Sequence, residues 1–231
     1  MEKQQTPDSV VIVSGGMDSV TLLYHLVKNE RLNPALITFL YGQKHSREVA
    51  CATENAALLG CKNHLILDLA PMRAIFESSA LVSESMAIPD VESVLGDPQP
   101  PTYVPNRNMI FLALAVAYAE SLGVGDVYYG AQRHDQYGYW DVTPQFVDRL
   151  NEVYRLNRKT PIQIKAPFLN FSKADILRVG LELDVDYGKT WSCYAGQDLA
   201  CGKCPTCAER LAAFKAIGMT DPVPYAAPAT R

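Results

Sequence analysis

Val10-Val11-Ile12-Val13-Ser14-Gly15-Gly16-Met17-Asp18-Ser19-Val20 is the stretch whose reading decides the fold. Four branched apolar residues in a row read as a strand of a parallel sheet buried on both faces. Ser14 to Ser19 form a small-residue turn, and Val20-Thr21-Leu22-Leu23-Tyr24-His25-Leu26 has helical spacing. Strand, glycine turn and helix together make an anion site. Gly15 and Gly16 lack Cβ atoms, so backbone N–H groups can close on a phosphate, and the helix start adds its positive end. Ser14 and Ser19 offer hydroxyl donors, and Asp18 stands where a carboxylate could cap the helix or hold Mg²⁺. No lysine follows the glycines as in G-x-x-x-x-G-K-[ST], and G-x-G-x-x-G is absent. The turn is therefore neither a Walker loop nor a dinucleotide loop.

Outward from this loop, strands and helices alternate. Pro34–Leu40 reads as the second strand and ends in Tyr41-Gly42-Gln43-Lys44-His45. A helix is expected over 46–59, stopped by Gly60, then strands over 64–69, 126–130 and 162–168. This order predicts an α/β fold with a doubly wound parallel sheet, whose ligands bind at the carboxyl ends of the strands. The strongly apolar run 109–122 predicts a central helix. Pro144 opens a helix reaching Leu156, and Ser172-Lys173-Ala174-Asp175 is a capping box ahead of a helix over 176–183. Between 78 and 105, periodicity is lost around Pro89, Pro98, Pro100, Pro101 and Pro105. A lid or a dimer contact is expected there, with a solvated insertion as the alternative.

The 231 residues suffice for one large α/β domain with a small appendage. A net charge of −4 and a pI near 5.6 argue against a broad nucleic-acid surface. No apolar run is long enough to span a membrane, and Met1–Pro7 lacks the apolar core of a signal peptide, so a cytoplasmic protein without a membrane partner is expected. Cysteines in a reducing compartment point to metal or catalysis. Cys193, Cys201, Cys204 and Cys207 follow a C-x7-C-x2-C-x2-C pattern. Each C-x2-C turn brings two thiolates to one tetrahedral ion, and four close its shell, which predicts structural Zn²⁺. An Fe–S cluster takes the same ligands, and unrelated thiols are the bland alternative. A helix over 208–217 should follow, with Leu211, Phe214 and Ile217 inward. Cys51 and Cys61 read as buried small hydrophobes. The expected division is an ATP-binding domain over 1–190 and a zinc-binding helical region over 191–231.

The S-G-G-x-D-S string resembles the pyrophosphate loop of the ATP pyrophosphatase (PP-loop) family, which cuts ATP between the α and β phosphates. Tyr41–His45, Thr102–Asn108, Thr190–Tyr194 and the cysteines appear in the same order as in the 7-cyano-7-deazaguanine synthase family, which the chain resembles from Val10 to about Pro222. The resemblance implies a fold of the adenine nucleotide alpha hydrolase type. It also implies conversion of 7-carboxy-7-deazaguanine, ammonia and ATP to 7-cyano-7-deazaguanine through adenylated intermediates, on the queuosine pathway. Mg²⁺ dependence, structural Zn²⁺ and a homodimer come with it. Matched residue by residue, Val13, Ser14, Gly15, Gly16, Met17, Asp18, Ser19 and Lys173 fall on the ATP site. Tyr41, Gln43, His45, Arg107 and Asn108 fall on the substrate side, and Asp18, Arg107 and Lys173 are the catalytic candidates.

Arg107 at a helix start opposes the helix dipole, which suggests an anionic ligand. Lys173 follows the same logic, although simple exposure would also explain it. Asp135 is a candidate for a guanine-like N–H edge, or a turn former. His45 could be a phosphate donor, a proton carrier or a structural histidine. Tyr103, Tyr137, Tyr139 and Trp140 could stack on a flat base or simply pack. The chain departs from the family at Asn106, often Gly there, and over 135–143. The family commonly has D-x-S-G-Y-P-D-C-R there, and this chain has D-Q-Y-G-Y-W-D-V-T. Three alternatives therefore stand beside a small-molecule ligase using ammonia. The first is a related ligase joining the activated carboxylate to a protein or nucleic-acid amine. The second is a tRNA-modifying adenylating enzyme, and the third a non-catalytic nucleotide-binding subunit.

Overall fold

The computed structural model describes residues 6–132, 139–195 and 198–226. Five parallel strands form one sheet in the order β3-β2-β1-β4-β5: β1 (Ser9–Ile12), β2 (Pro34–Leu40), β3 (His64–Asp68), β4 (Asp126–Tyr128) and β5 (Gln163–Lys165). The helices are α1 (Met17–Tyr24), α2 (Arg47–Leu58), α3 (Arg107–Leu122), α4 (Pro144–Tyr154), α5 (Lys173–Glu182) and α6 (Pro205–Ala216). A wider turn over His25–Asn29 extends α1.

Side chains alternate across a strand, and here the alternation sorts the core into two layers. Val10, Ile37 and Val127 pack with Leu112 of α3 and Val147 of α4. Val11, Leu36 and Tyr128 pack on the other face with Leu22 of α1, Ala52 of α2 and Ile176 of α5. A fully buried branched side chain contributes roughly 1.5–3 kcal/mol, so this central strand is held from both sides. Among the described residues, no helix is long and apolar enough to cross a membrane.

Several expectations shift. The last two strands are shorter than the apolar runs suggested. Pro167 has no N–H for the ladder, and β5 stops ahead of it. Helix α3 begins two residues earlier, at Arg107, and covers one face of the sheet instead of running through a core. Phe111, Leu112, Ala115, Val116 and Ala119 are buried, while Met109, Ala113 and Ala117 face solvent. Helix α5 starts at Lys173, because Ser172 is its N-cap, with both bonds of the capping box formed. Helix α6 starts at Pro205, which is its first residue and not merely a stiffened turn. Its inward residues are Arg210, Ala213 and Phe214, whereas Leu211 and Ile217 are only half-buried.

The proline-rich segment is packed at both ends and at Val94, while most of 84–99 is exposed. Leu81, Val82 and Val104 join the core under α3, beside Phe76 just ahead of the segment. Leu81 accepts a backbone bond from Lys44 at 3.0 Å, and Val91 donates to the carbonyl of Lys203 at 2.9 Å. The segment is thereby tied both to the end of β2 and to the cysteine region.

Candidate active site

The phosphate loop leaves β1 at the carboxyl edge of the sheet. Gly15 sits at φ +92°, and a Cβ there would overlap the backbone carbonyl of Glu48. Only glycine lets the first turn of α2 come this close. The serine hydroxyls act within the loop. Ser19 Oγ accepts from the backbone N–H of Ser14 (3.1 Å) and Gly15 (3.3 Å), and lies 2.9 Å from Ser14 Oγ. No side chain caps α1, whose N-cap is Gly16, so Asp18 is not the cap considered from sequence.

Asp18 instead faces Lys173. Its Oδ2 lies 3.1 Å from Lys173 Nζ and 3.3 Å from Gln132 Nε2. Its Oδ1 is buried with no hydrogen-bond partner among the described residues. A carboxylate oxygen without a donor fits a divalent cation, so the residues present suit Mg²⁺. Lys173 is not explained by exposure, since its side chain keeps only 14% of its accessible surface. It also lies 3.2 Å from Glu209 Oε2. Burial opposes its charge, but Asp18 and Glu209 outweigh burial and hold the ammonium above the ordinary lysine range.

Arg107 opens α3 behind Asn106, whose φ of +52° is left-handed. The family's frequent glycine at this position now has a physical reason, and asparagine is a side chain that tolerates the conformation. Burial works against the Arg107 charge, and Tyr41, Tyr194 and Asp141 hold it in place. Its guanidinium is hydrogen-bonded to the Tyr41 hydroxyl. Asn108 supplies side-chain and backbone hydrogen bonds to the buried Asp141, whose carboxyl is raised by burial and pulled back by Arg107.

Gln43 is used locally. Its Oε1 accepts from the N–H of Tyr41 at 2.8 Å, which fastens the turn after β2. His45 is hydrogen-bonded to the Cys193 backbone, and burial lowers its affinity for a proton, so it stands neutral. Its Nδ1 is buried without a partner among the described residues. Asp135 and Tyr137 lie outside the described residues. The other loop aromatics contact one another. The rings of Tyr103 and Tyr139 are 6.1 Å apart at 20°, and Trp140 Nε1 donates to Tyr103 Oη at 3.2 Å.

A cavity of about 260 Å³ joins these elements, with Ser14, Asp18, Tyr41, His45, Arg107 and Lys173 on its wall. A smaller chamber of about 80 Å³ adjoins it at Arg107, Asn108 and Tyr194, and contains Asp141 and Glu209. Sequence reasoning missed Glu48, Tyr129, Gln132 and Glu209. Glu48 alone carried a usable signal, lying one helical turn beyond His45 at the carboxyl edge of β2.

Behind the cavity, the Sγ atoms of Cys193, Cys201, Cys204 and Cys207 all lie within 4.8 Å of one another. Cys201 and Cys207 are 3.9 Å apart, close to the spacing of about 3.8 Å that tetrahedral Zn–S bonds of 2.3 Å require. The N–H of Cys201 points at Cys193 Sγ (3.3 Å) and that of Cys204 at Cys201 Sγ (3.3 Å). Hydrogen bonds from Cys204 and Cys207 hold the Cys193 thiol well below its usual range, toward the thiolate form a metal needs. This closed set is compatible with zinc. Cys51 and Cys61 are half-buried, not buried, and burial raises the Cys61 thiol to about 11.

The geometry agrees with comparisons to known proteins. A 7-cyano-7-deazaguanine synthase of Psychromonas ingrahamii is 43% identical over 94% of this chain and 96% of its own length. One from Alteromonas mediterranea is 44% identical over 94% and 97%. Among solved structures, NMN synthetase from Francisella tularensis aligns with a TM-score of 0.51 at 15% identity, covering 93% of this chain and 79% of that one, which shows a shared fold. The family model for queuosine biosynthesis protein QueC matches residues 8–218, and the chain belongs to that family.

Proposed function

We propose that this chain is an ATP-dependent C–N ligase that converts 7-carboxy-7-deazaguanine and ammonia into 7-cyano-7-deazaguanine. The observation that carries this reading is one cavity that has both the phosphate loop and Arg107 on its wall. The names and near full-length coverage of the relatives support it.

A carboxylate is a poor acceptor for ammonia. Transfer of AMP from ATP to a carboxylate oxygen releases pyrophosphate and creates a leaving group. Ammonia displaces AMP and gives the amide. A second activation, at the amide oxygen, lets that oxygen depart and leaves the nitrile. In this reading Val13 to Ser19 cradle the nucleotide phosphates, and Lys173 and Arg107 hold the negative charge that grows as each bond breaks. The free oxygen of Asp18 is the natural ligand for Mg²⁺, which when bound neutralises phosphate charge. Tyr41 positions Arg107, and Asn108 fixes Asp141. Residues 191–231 are assigned to a zinc-binding region supporting a nucleotide domain over 1–190. A cytoplasmic homodimer completes the reading, and light scattering measures its mass.

Mass spectrometry of the purified protein with 7-carboxy-7-deazaguanine, ATP, Mg²⁺ and ammonium tests the proposal. The expected product is the nitrile, with nucleotide release in step. Turnover that stops at an adenylate or amide would instead favour a macromolecular amine as acceptor. No nucleotide turnover would leave a nucleotide-binding subunit.

A further inference from the structure

Glu48 has no place in the roles assigned so far. Its backbone carbonyl lies against Gly15, the residue lines the main cavity, and its carboxyl is close enough to Arg107 to feel that charge. The reaction proposed above has an unusual proton inventory. Ammonia in neutral water is almost entirely ammonium, which has no lone pair to attack with, and a nitrile nitrogen keeps none of its hydrogens. Every turnover therefore needs a proton acceptor inside the cavity.

His45 also lines the cavity with an Nδ1 that has no partner among the described residues, but burial lowers its proton affinity and makes it a weaker base than Glu48. The remaining charged carboxylate and lysine are engaged. Asp18 is paired with Lys173, and Lys173 is held as a cation. Asp141 receives the bonds of Asn108 in the neighbouring chamber. Burial keeps the Tyr129 hydroxyl protonated. The groups felt by or feeling Glu48 are Arg107 from α3, Tyr41 after β2 and Cys51 on its own helix. Of these, only Arg107 is charged at neutral pH.

We propose that Glu48 is the proton acceptor that converts bound ammonium into the attacking ammonia. The inference rests on the ligase reading above and names the residue that prepares its second substrate. One proton passes from ammonium to the Glu48 carboxylate, and nitrogen regains its lone pair. That pair forms the C–N bond at the activated carbonyl carbon. The C–O bond to the phosphate breaks with its electrons on AMP, and a second proton leaves nitrogen for the departing phosphate oxygen. Water then takes the proton from Glu48. Burial raises Glu48 to about 7 against the pull of Arg107, which suits a base working at neutral pH.

The test compares two nucleophiles in Glu48→Gln and the native protein. Hydroxylamine is already neutral at pH 7 and needs no initial deprotonation. The expected result is that the ratio of ammonium to hydroxylamine turnover falls by about 100-fold in the variant. Ammonium turnover should recover with rising pH in proportion to free ammonia. An unchanged ratio, whether both rates survive or both collapse, overturns the proposal. If Glu48→Gln does not fold, the native protein decides. Its ammonium profile should carry an ionisation near pH 7 that its hydroxylamine profile lacks, and identical profiles overturn the proposal. If the native protein forms neither hydroxamate nor amide, the ligase reading itself has failed.

Discussion

The backbone N–H of Trp191 donates to the carbonyl of Gly15 at 3.0 Å, so the segment leading into the cysteine cluster is bonded directly to the phosphate loop. The Trp191 ring is 1% exposed and lies under the guanidinium of Arg47 at 3.8 Å. Disturbing the cysteines should therefore be felt at the nucleotide. Cys201→Ala is expected to lose bound Zn²⁺ and aggregate, because metal binding and folding are coupled. Chelation of the native protein should lower its melting temperature and weaken ATP binding together. Metal analysis and calorimetry measure both, and a folded, zinc-loaded Cys201→Ala would refute the metal assignment.

Lys173 separates two carboxylates, those of Asp18 and Glu209. Lys173→Met leaves them facing each other without a cation, in a site meant for phosphate oxygens. We expect kcat to fall by roughly 10²–10³-fold, in line with the loss of one preorganised charge contact. Lys173→Arg should recover part of that loss. Steady-state kinetics with circular dichroism as a folding control reads the effect.

Glu48 also makes a prediction about stability. Its carboxyl titrates near 4.5 when unperturbed and near 7 in the folded protein. Between these values the folded state binds a proton that the unfolded chain has released, so stability falls as pH rises through that window. Allowing for partial solvent contact at the cavity wall, the loss is on the order of 2 kcal/mol. Urea titrations at a series of pH values should show this slope in the ligand-free protein, and Glu48→Gln should flatten it.

Arg210 is 2% exposed and bidentate to Asp221, with Nε at 2.7 Å from Oδ2 and Nη2 at 2.9 Å from Oδ1. It also donates to Thr190 Oγ1 and to the carbonyl of Tyr187. Arg210→Met strands a buried carboxylate, a loss of about 3–5 kcal/mol. For a chain of this size the melting temperature should drop by roughly 6–20 °C. Activity per folded molecule should remain near native, since Arg210 lies outside the cavity.

The fold was legible because Val10–Val13, Pro34–Leu40 and the glycine turn between strand and helix carry local signals. The cysteine spacing and the capping box at Ser172 were legible for the same reason. Arg107 was flagged by an electrostatic oddity, a cation at a helix start. Glu209 and Arg210 were not legible. Each looks like an ordinary charged helix residue until tertiary packing turns it inward. Gln43 carries a signal of another kind: its Oε1 holds the N–H of Tyr41 in the turn after β2, and the residue lines the cavity as its motif led one to expect of a site residue. The burial of Leu81 and Val82 within the proline-rich segment was likewise hidden, because no periodicity marks a loop that packs.

The order β3-β2-β1-β4-β5 places the strand synthesised first at the middle of the sheet. One edge of β1 is covered as soon as β2 emerges from the ribosome. Its other edge pairs with Val127 and Tyr128, and must wait while the whole proline-rich segment and α3 are made. For that interval the nascent chain carries an open apolar edge at Val10 and Val11, the kind of surface that recruits chaperones or invites aggregation. Yield on overexpression should thus depend on translation speed through residues 78–125 more than on the stability of the finished protein.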